Sequence, residues 1–131
     1  NVPSCSAEFP ANELPMYGHL QKTGHQQQAD KEYIKAMTKD GRSREAAAEY
    51  VARVGWSAFN QGDCSLAIKR FNQAWLLNPK NQLALWGFAC INMDRGQVQE
   101  AVRYYRMAID SGPENSKLQK DYEEALRRLK K

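Results

Sequence analysis

The side chains best suited to catalysis or metal binding in this chain are those of three cysteines and two histidines, namely Cys5, Cys64, Cys90, His19 and His25. A thiolate or an imidazole can act as a nucleophile, a base or a metal ligand, but each role needs a second group at a suitable spacing. The two histidines are six residues apart without a carboxylate or thiol at ligand spacing, and no two cysteines form a C-x-x-C motif. We therefore expect no metal and no other cofactor.

The sequence also lacks the short motifs that mark common active sites. It contains no glycine-rich phosphate loop, no H-E-x-x-H and no G-x-S-x-G. The acidic residues Asp121, Glu123 and Glu124 have the spacing of surface charges on a helix. The sequence thus predicts a protein that is not an enzyme.

The cysteines bear on the cellular compartment of the protein. Three cysteines are too few for a disulfide scaffold, and Cys64 and Cys90 fall in predicted helices, where a small buried thiol is expected. A disulfide stays open, because it depends on the distance between two Cα atoms. Residues 2–4 before Cys5 are similar to the cleavage box of bacterial lipoproteins, and the chain does not begin with Met. We expect export to the periplasm, or a membrane tether through a lipidated Cys5, in preference to a cytoplasmic location.

Length and charge restrict the class further. The chain has 131 residues, of which 42% are hydrophobic, so it can bury a moderate core as one domain. It has no run of 18 apolar residues, and no transmembrane helix is predicted. The net charge of +4 is concentrated near the C-terminus, in Arg127, Arg128, Lys130 and Lys131. That placement is typical of a solvated helix end, and nucleic acid is not expected as a partner.

One stretch of the chain occurs twice, 34 residues apart. The matched pairs are Gly62 and Gly96, Ala67 and Ala101, Phe71 and Tyr105, Ala74 and Ala108, Pro79 and Pro113, and Asn81 and Asn115. Glycine suits a left-handed turn at a helix end, alanine lets antiparallel helices approach closely, and proline stops the second helix. Over residues 48–115 the chain resembles the tetratricopeptide repeat family, whose helix–turn–helix unit has this period.

The resemblance implies an all-α fold, a right-handed superhelix of two helix–turn–helix repeats at residues 48–81 and 82–115. We expect helices at 43–60 and 63–77 in the first unit, and at 82–93 and 98–110 in the second. A helix at 28–40 is expected to precede them, and a capping helix at 116–131, starting with a Ser116–Gln119 capping box, to follow. Residues 1–26 contain several prolines and glycines and predict an extended arm before a helical domain at 27–131.

In this family the first helix of each repeat lines a concave groove that contacts the partner. Carried over by register, the implied groove residues are Glu49, Ala52, Trp56, Phe59, Leu83, Trp86, Cys90 and Met93, with Asn60 and Asp94 at the rim. Apolar and aromatic side chains of this kind dominate binding energies when a partner buries them. Some family members grip a peptide carboxylate with Lys, Asn and Arg, but those positions are Ala52, Trp56, Trp86 and Cys90 here. An extended or helical apolar segment is a better ligand for this set.

The sequence therefore predicts a non-enzymatic interaction module or scaffold that binds an apolar segment of a protein partner. Two alternatives stay open: the chain's own arm or N-terminal helix can fill the groove, or the aromatic face can be an oligomer interface of a structural protein. Within the first class we expect an exported bacterial lipoprotein, with a cytoplasmic co-chaperone or secretion chaperone as the alternative.

Overall fold

The computed structural model describes residues 14–19 and 21–131, and within them the chain is all-helical, as predicted. A 3-10 turn at Pro15–His19 precedes six α-helices: α1 Gly24–Thr38, α2 Arg44–Asn60, α3 Cys64–Leu77, α4 Gln82–Asp94, α5 Val98–Asp110 and α6 Ser116–Leu129. In the described part of the chain, no helix combines the length and the apolar character needed to cross a membrane.

Polar side chains begin most of these helices by accepting hydrogen bonds from free backbone amides. Asp63 caps α3 by accepting from the amide of Leu66 at 3.1 Å, and Asn81 caps α4 by accepting from that of Ala84 at 2.9 Å. The cap of α6 is Asn115 and not Ser116, which corrects the predicted capping box. The side chain of Asn115 reaches two amides of the first turn, so the helix begins one residue after it.

The two turns that follow α2 and α4 have the same backbone structure. Gly62 and Gly96 both have positive φ, at 83° and 78°, a conformation that glycine adopts without strain. The amide of Asp63 donates to the carbonyl oxygen of Ala58 at 2.9 Å, and the equivalent bond 34 residues later measures 2.8 Å. The sequence repeat is therefore a repeat of backbone structure at these turns.

The helices pack as neighbours along the chain, with α2 against α3, α4 against α5 and α5 against α6. The guanidinium of Arg44, at the start of α2, donates to the carbonyl oxygens of Leu76 and Leu77 at the end of α3, both at 2.9 Å. Helices α2 and α3 are therefore antiparallel. Helix α4 also contacts α2 and α3, which brings α2 and α4 side by side.

The side chain of Phe71 on α3 is fully buried between two glycines of the neighbouring helices. A Cβ on Gly55 of α2 would meet the ring at 2.8 Å, and one on Gly87 of α4 would meet it at 2.5 Å. Both positions thus need glycine for the helices to approach this closely. Each glycine is next in sequence to a tryptophan, Trp56 or Trp86, so the same contact positions two predicted groove residues.

The region before α2 differs from the predicted arm and helix. Helix α1 begins at Gly24, four residues before the expected start, with a capping box between Thr23 and Gln26. Before it, Met16 and Tyr17 have φ of 51° and 56°, a left-handed conformation that is costly for residues with a side chain. Helix α1 thus begins within residues 24–26 at the end of the predicted arm. Residues 1–13 and 20 of that arm lie outside the described residues.

Candidate protein-binding groove

The structure brings predicted groove residues of α2 and α4 together around one tryptophan. The ring of Trp56 lies 5.5 Å from that of Trp86 and 5.5 Å from that of Phe59, edge to face in both cases. Its Nε1 donates to the carbonyl oxygen of Leu83 at 2.9 Å, so the polar end of the ring is satisfied within the groove. Two helices that are separate in sequence thus form one aromatic cluster.

Exposure divides the predicted groove residues into three groups. Ala52 and Trp86 are buried, with 0% and 7% of their surface exposed. Six are half-buried, namely Glu49, Trp56, Phe59, Leu83, Cys90 and Met93. Asn60 and Asp94 are exposed. We call the half-buried and exposed residues together the groove face. A partner can contact the groove face directly, whereas Ala52 and Trp86 offer it almost no surface.

The indole nitrogen of the buried Trp86 is hydrogen-bonded to α6. Its Nε1 donates to Oδ2 of Asp121 at 2.9 Å, a hydrogen bond strengthened by the charge of the carboxylate. Asp121 is half-buried, which corrects its prediction as a surface charge. Its position three residues after the buried Leu118 is the sequence signal for this role, since residues three apart share a helix face.

The thiol of Cys90 is a packing group at this site. Its Sγ lies 3.5 Å from Oη of Tyr105 on α5. Burial raises the pKa of Cys90 to about 12, with a smaller opposing effect from the hydrogen bond to Tyr105. Burial likewise raises the pKa of Tyr105. The thiol is therefore protonated near neutral pH and is a poor nucleophile.

An acidic residue lies at each end of the groove face. Glu49 accepts from Nδ2 of Asn81 at 3.0 Å and from Arg53 at 3.0 Å, which fixes its carboxylate between α2 and the start of α4. At the other end, the carboxyl of Asp94 is partly shielded from water by its neighbours, which raises its pKa, while the nearby Arg128 lowers it. The groove face is thus apolar in the middle and polar at both ends.

The described part of the N-terminal arm lies on α3 and not on the groove face. Nδ2 of Asn72 donates to the carbonyl oxygen of Leu14 at 2.7 Å, and the amide of Tyr17 donates to Oδ1 of Asn72 at 3.3 Å. The ring of Tyr17 also lies 6.4 Å from that of Trp75, and Met16 is buried. These residues leave the groove face uncovered.

Asn72 is a buried residue that the sequence interpretation missed. It is 0% exposed and lies on α3 four residues after the fully buried Ile68. Helical spacing places both on one face, and a buried amide needs hydrogen-bond partners from elsewhere. A polar residue at an apolar position was therefore the signal for an external contact, here the arm.

The cysteines differ from the expectation of two buried thiols. Cys64 is 5% exposed and disulfide-bonded, so its prediction as a thiol is wrong, whereas Cys90 is a free cysteine. Cys5 lies outside the described residues. Within residues 14–19 and 21–131, no three residues of the types His, Cys, Asp and Glu are grouped so that they could hold a metal ion.

Two clefts lie away from the groove face. One of about 510 Å³ lies between the end of α5 and the start of α6, lined by residues that include Ile109, Pro113 and Leu118. The other, of about 390 Å³, lies among α1, α2 and α3 and includes Tyr33 and Arg70. Neither of these two clefts is lined by a predicted groove residue.

Comparison with protein-family models, with curated proteins and with solved structures found no match. The assignment of the groove face therefore depends on the 34-residue repeat in the sequence and on the contacts between α2 and α4.

Proposed function

We propose that this chain is a non-enzymatic interaction module that binds an apolar segment of a partner protein on its groove face. The observation that carries the proposal is the aromatic cluster around Trp56. The cluster contains residues of two different helices, α2 and α4, at positions predicted from the 34-residue repeat. Trp56 and Phe59 remain half-buried. A surface that is apolar, partly exposed and held rigidly by the core is suited to bury a partner's side chains.

We further propose that residues 48–81 and 82–115 are two tetratricopeptide-like repeats in a right-handed superhelix. The matching turns at Gly62 and Gly96 support this organisation, as do the pairing of α2 with α3 and the pairing of α4 with α5. In such an arrangement the first helices, α2 and α4, line the concave side. Helices α1 and α6 then flank the repeats at the two ends.

The apolar side chains of the groove face supply a limited part of the binding free energy. Phe59, Leu83 and Met93 are half-buried, and completing the burial of each contributes roughly 1 kcal/mol. The ordering of a flexible peptide opposes this gain. The three side chains together contribute only about 3 kcal/mol, so micromolar binding, which corresponds to about 8 kcal/mol, requires further contacts with the partner.

The experiment is a peptide selection followed by a matched pair of variants. A random peptide library is selected on the immobilised full chain, and the recovered peptides are titrated against wild type, Met93→Glu and Met107→Glu. Met107 lies on α5 outside the groove face and is 39% exposed, so it receives the same substitution in a different place. We expect apolar peptides whose affinity falls at least roughly tenfold in Met93→Glu, because a charge is then buried against them, and stays within about twofold in Met107→Glu.

Two results would overturn the proposal. One is equal loss of binding in the two variants, and the other is a set of peptide-induced NMR shifts on α3 and α5 with none on α2 and α4. Sedimentation at two protein concentrations tests the alternative, a self-associating structural protein. A dimer of the wild type that Met93→Glu dissociates would show that the groove face meets its own copy.

A further inference from the structure

We propose that the cleft among α1, α2 and α3 binds a small organic acid, in which an apolar or aromatic body carries one carboxylate. The cleft has a volume of about 390 Å³, which is within the range of small-molecule sites in proteins. All three helices contribute to its lining, with Tyr33 and Met37 from α1, Tyr50, Val51 and Val54 from α2, and Arg70 and Gln73 from α3. The described lining is thus apolar and aromatic apart from one cation and one amide.

Arg70 is the one charged residue among those described in the lining. Its Nη1 donates to Oε1 of Gln73, three residues further along α3, at 2.8 Å. Gln73 is neutral, and within the described part of the chain no carboxylate pairs with Arg70. A half-buried guanidinium attracts an anion more strongly than an exposed one, because less water screens its charge. Its planar fork matches a carboxylate, so the carboxylate of the ligand lies beside Arg70.

Tyr33 of α1 supplies a neutral hydrogen-bond donor near the guanidinium of Arg70. Burial raises the pKa of Tyr33, and the positive charge of Arg70 lowers it by a smaller amount. The phenol is therefore protonated at neutral pH, and its O–H can donate to an anion. A carboxylate in the cleft thus meets a cation and a neutral donor that come from two different helices.

The remaining lining suits the apolar body of the ligand. Met37 and Val54 are half-buried, and Val51 is 3% exposed. Tyr50 is 58% exposed, so its ring lies at the mouth of the cleft, with the guanidinium carbon of Arg42 5.7 Å from the ring centre. Aromatic and aliphatic groups gain free energy when they are buried against such side chains, and an aromatic ring also gains from stacking on tyrosine. An aromatic acid therefore fits this lining better than inorganic phosphate or a sugar.

An NMR titration of the full chain with two matched probes tests the need for the carboxylate. The probes are phenylacetate and its neutral amide, phenylacetamide. We expect saturable shifts at the backbone amides of Tyr33, Tyr50 and Val54, a dissociation constant on the order of 1 mM for the acid, and at least roughly tenfold weaker binding of the amide. Equal binding of acid and amide, or shifts confined to α4 and α5, would overturn the proposal. Tighter binding of an acetylated peptide that ends in a phenylalanine carboxylate would also overturn it, because the occupant would then be a chain terminus.

Two variants separate the cation from the apolar lining. Arg70→Gln should weaken phenylacetate to the affinity of phenylacetamide and leave the amide within about twofold, because only the acid needs the charge. Tyr50→Ala, at a largely exposed position, should weaken both probes equally, by about threefold. Arg103→Gln is the matched control, exposed on α5, and should change neither.

A preference for the acid that persists in Arg70→Gln, or an equal loss in Arg103→Gln, would contradict the site. If Arg70→Gln does not fold, unchanged binding of both probes to Tyr50→Ala is the result that overturns the proposal. The cleft shares no lining residue with the groove face, so either proposal can fail alone.

Discussion

Phe71 on α3 lies so close to Gly87 on α4 that a Cβ on the glycine would come within 2.5 Å of two carbons of the ring. Gly55 on α2 approaches the same ring from another helix, at 2.8 Å by the same measure. Three helices thus meet at one fully buried aromatic side chain. Because Trp56 and Trp86 are the sequence neighbours of these glycines, the stability of the core and the geometry of the groove are coupled here.

This contact predicts that Gly87→Ala destabilises the protein. Overpacking a well-packed core costs about 1–3 kcal/mol, while replacing glycine by alanine in a helix recovers up to about 1 kcal/mol. We expect a net loss of about 1–2 kcal/mol in the free energy of unfolding, measured in urea. Gly24→Ala in α1 is the control, since a Cβ there meets nothing within 4 Å, and it should be neutral or stabilising. Equal stability of the two variants would contradict the packing described.

The buried amide of Asn72 predicts a specific coupling to the arm. Asn72→Ala removes the side-chain partner of the Leu14 carbonyl and the Tyr17 amide, which keep their bond to each other at 2.9 Å, and should cost about 1 kcal/mol. We expect lower global stability and faster hydrogen exchange at the Tyr17 amide. Gln99→Ala, at an exposed position on α5, should change neither. Unaltered exchange at Tyr17 in Asn72→Ala would mean that the arm does not depend on this side chain.

The hydrogen bond between Trp86 and Asp121 predicts different effects for two substitutions at the acid. Asp121→Ala removes the acceptor of a buried indole nitrogen and should cost about 1.5–3 kcal/mol, whereas Asp121→Asn keeps an oxygen acceptor and should cost less. The measurements are urea unfolding and tryptophan fluorescence. Glu123→Ala is the control, because Glu123 is exposed on the same helix. If all three variants are alike, Asp121 is a surface charge after all.

The raised pKa values predict that stability falls at high pH. Burial raises the pKa of Cys90 and of Tyr104 to about 12 each, so the folded state keeps protons that the unfolded chain has already lost. This stabilisation is fully present below about pH 9 and is lost as the pH rises toward 12, by at most about 1.4 kcal/mol per pH unit for each group. The unfolding midpoint should fall between pH 9 and pH 12. In Cys90→Ala the fall should be shallower between pH 9 and pH 10, before tyrosine titrates.

Several elements could be predicted from the sequence because their causes are local. The bounds of α3, α4 and α5 agree with the prediction to within one residue, since glycine turns, a proline stop and side-chain caps act within a few residues of the helix ends. The repeat register likewise selected Trp56 and Trp86, which the fold brings within 5.5 Å. The position of each tryptophan within its repeat was enough to predict that both lie on facing sides of α2 and α4.

The tertiary structure alone decided which of these residues are exposed and what contacts the described part of the arm. The indole nitrogen of Trp86 is bonded to Asp121, 35 residues away, and Asn72 is bonded to Leu14, 58 residues away. Cys64 is disulfide-bonded, although nothing in its local sequence distinguishes it from a buried thiol. The spacing of residues along the sequence indicates which face of a helix a residue lies on. It does not indicate which other segment packs against that face. Those contacts depend on how segments that are distant in sequence pack together, so only the tertiary structure shows them.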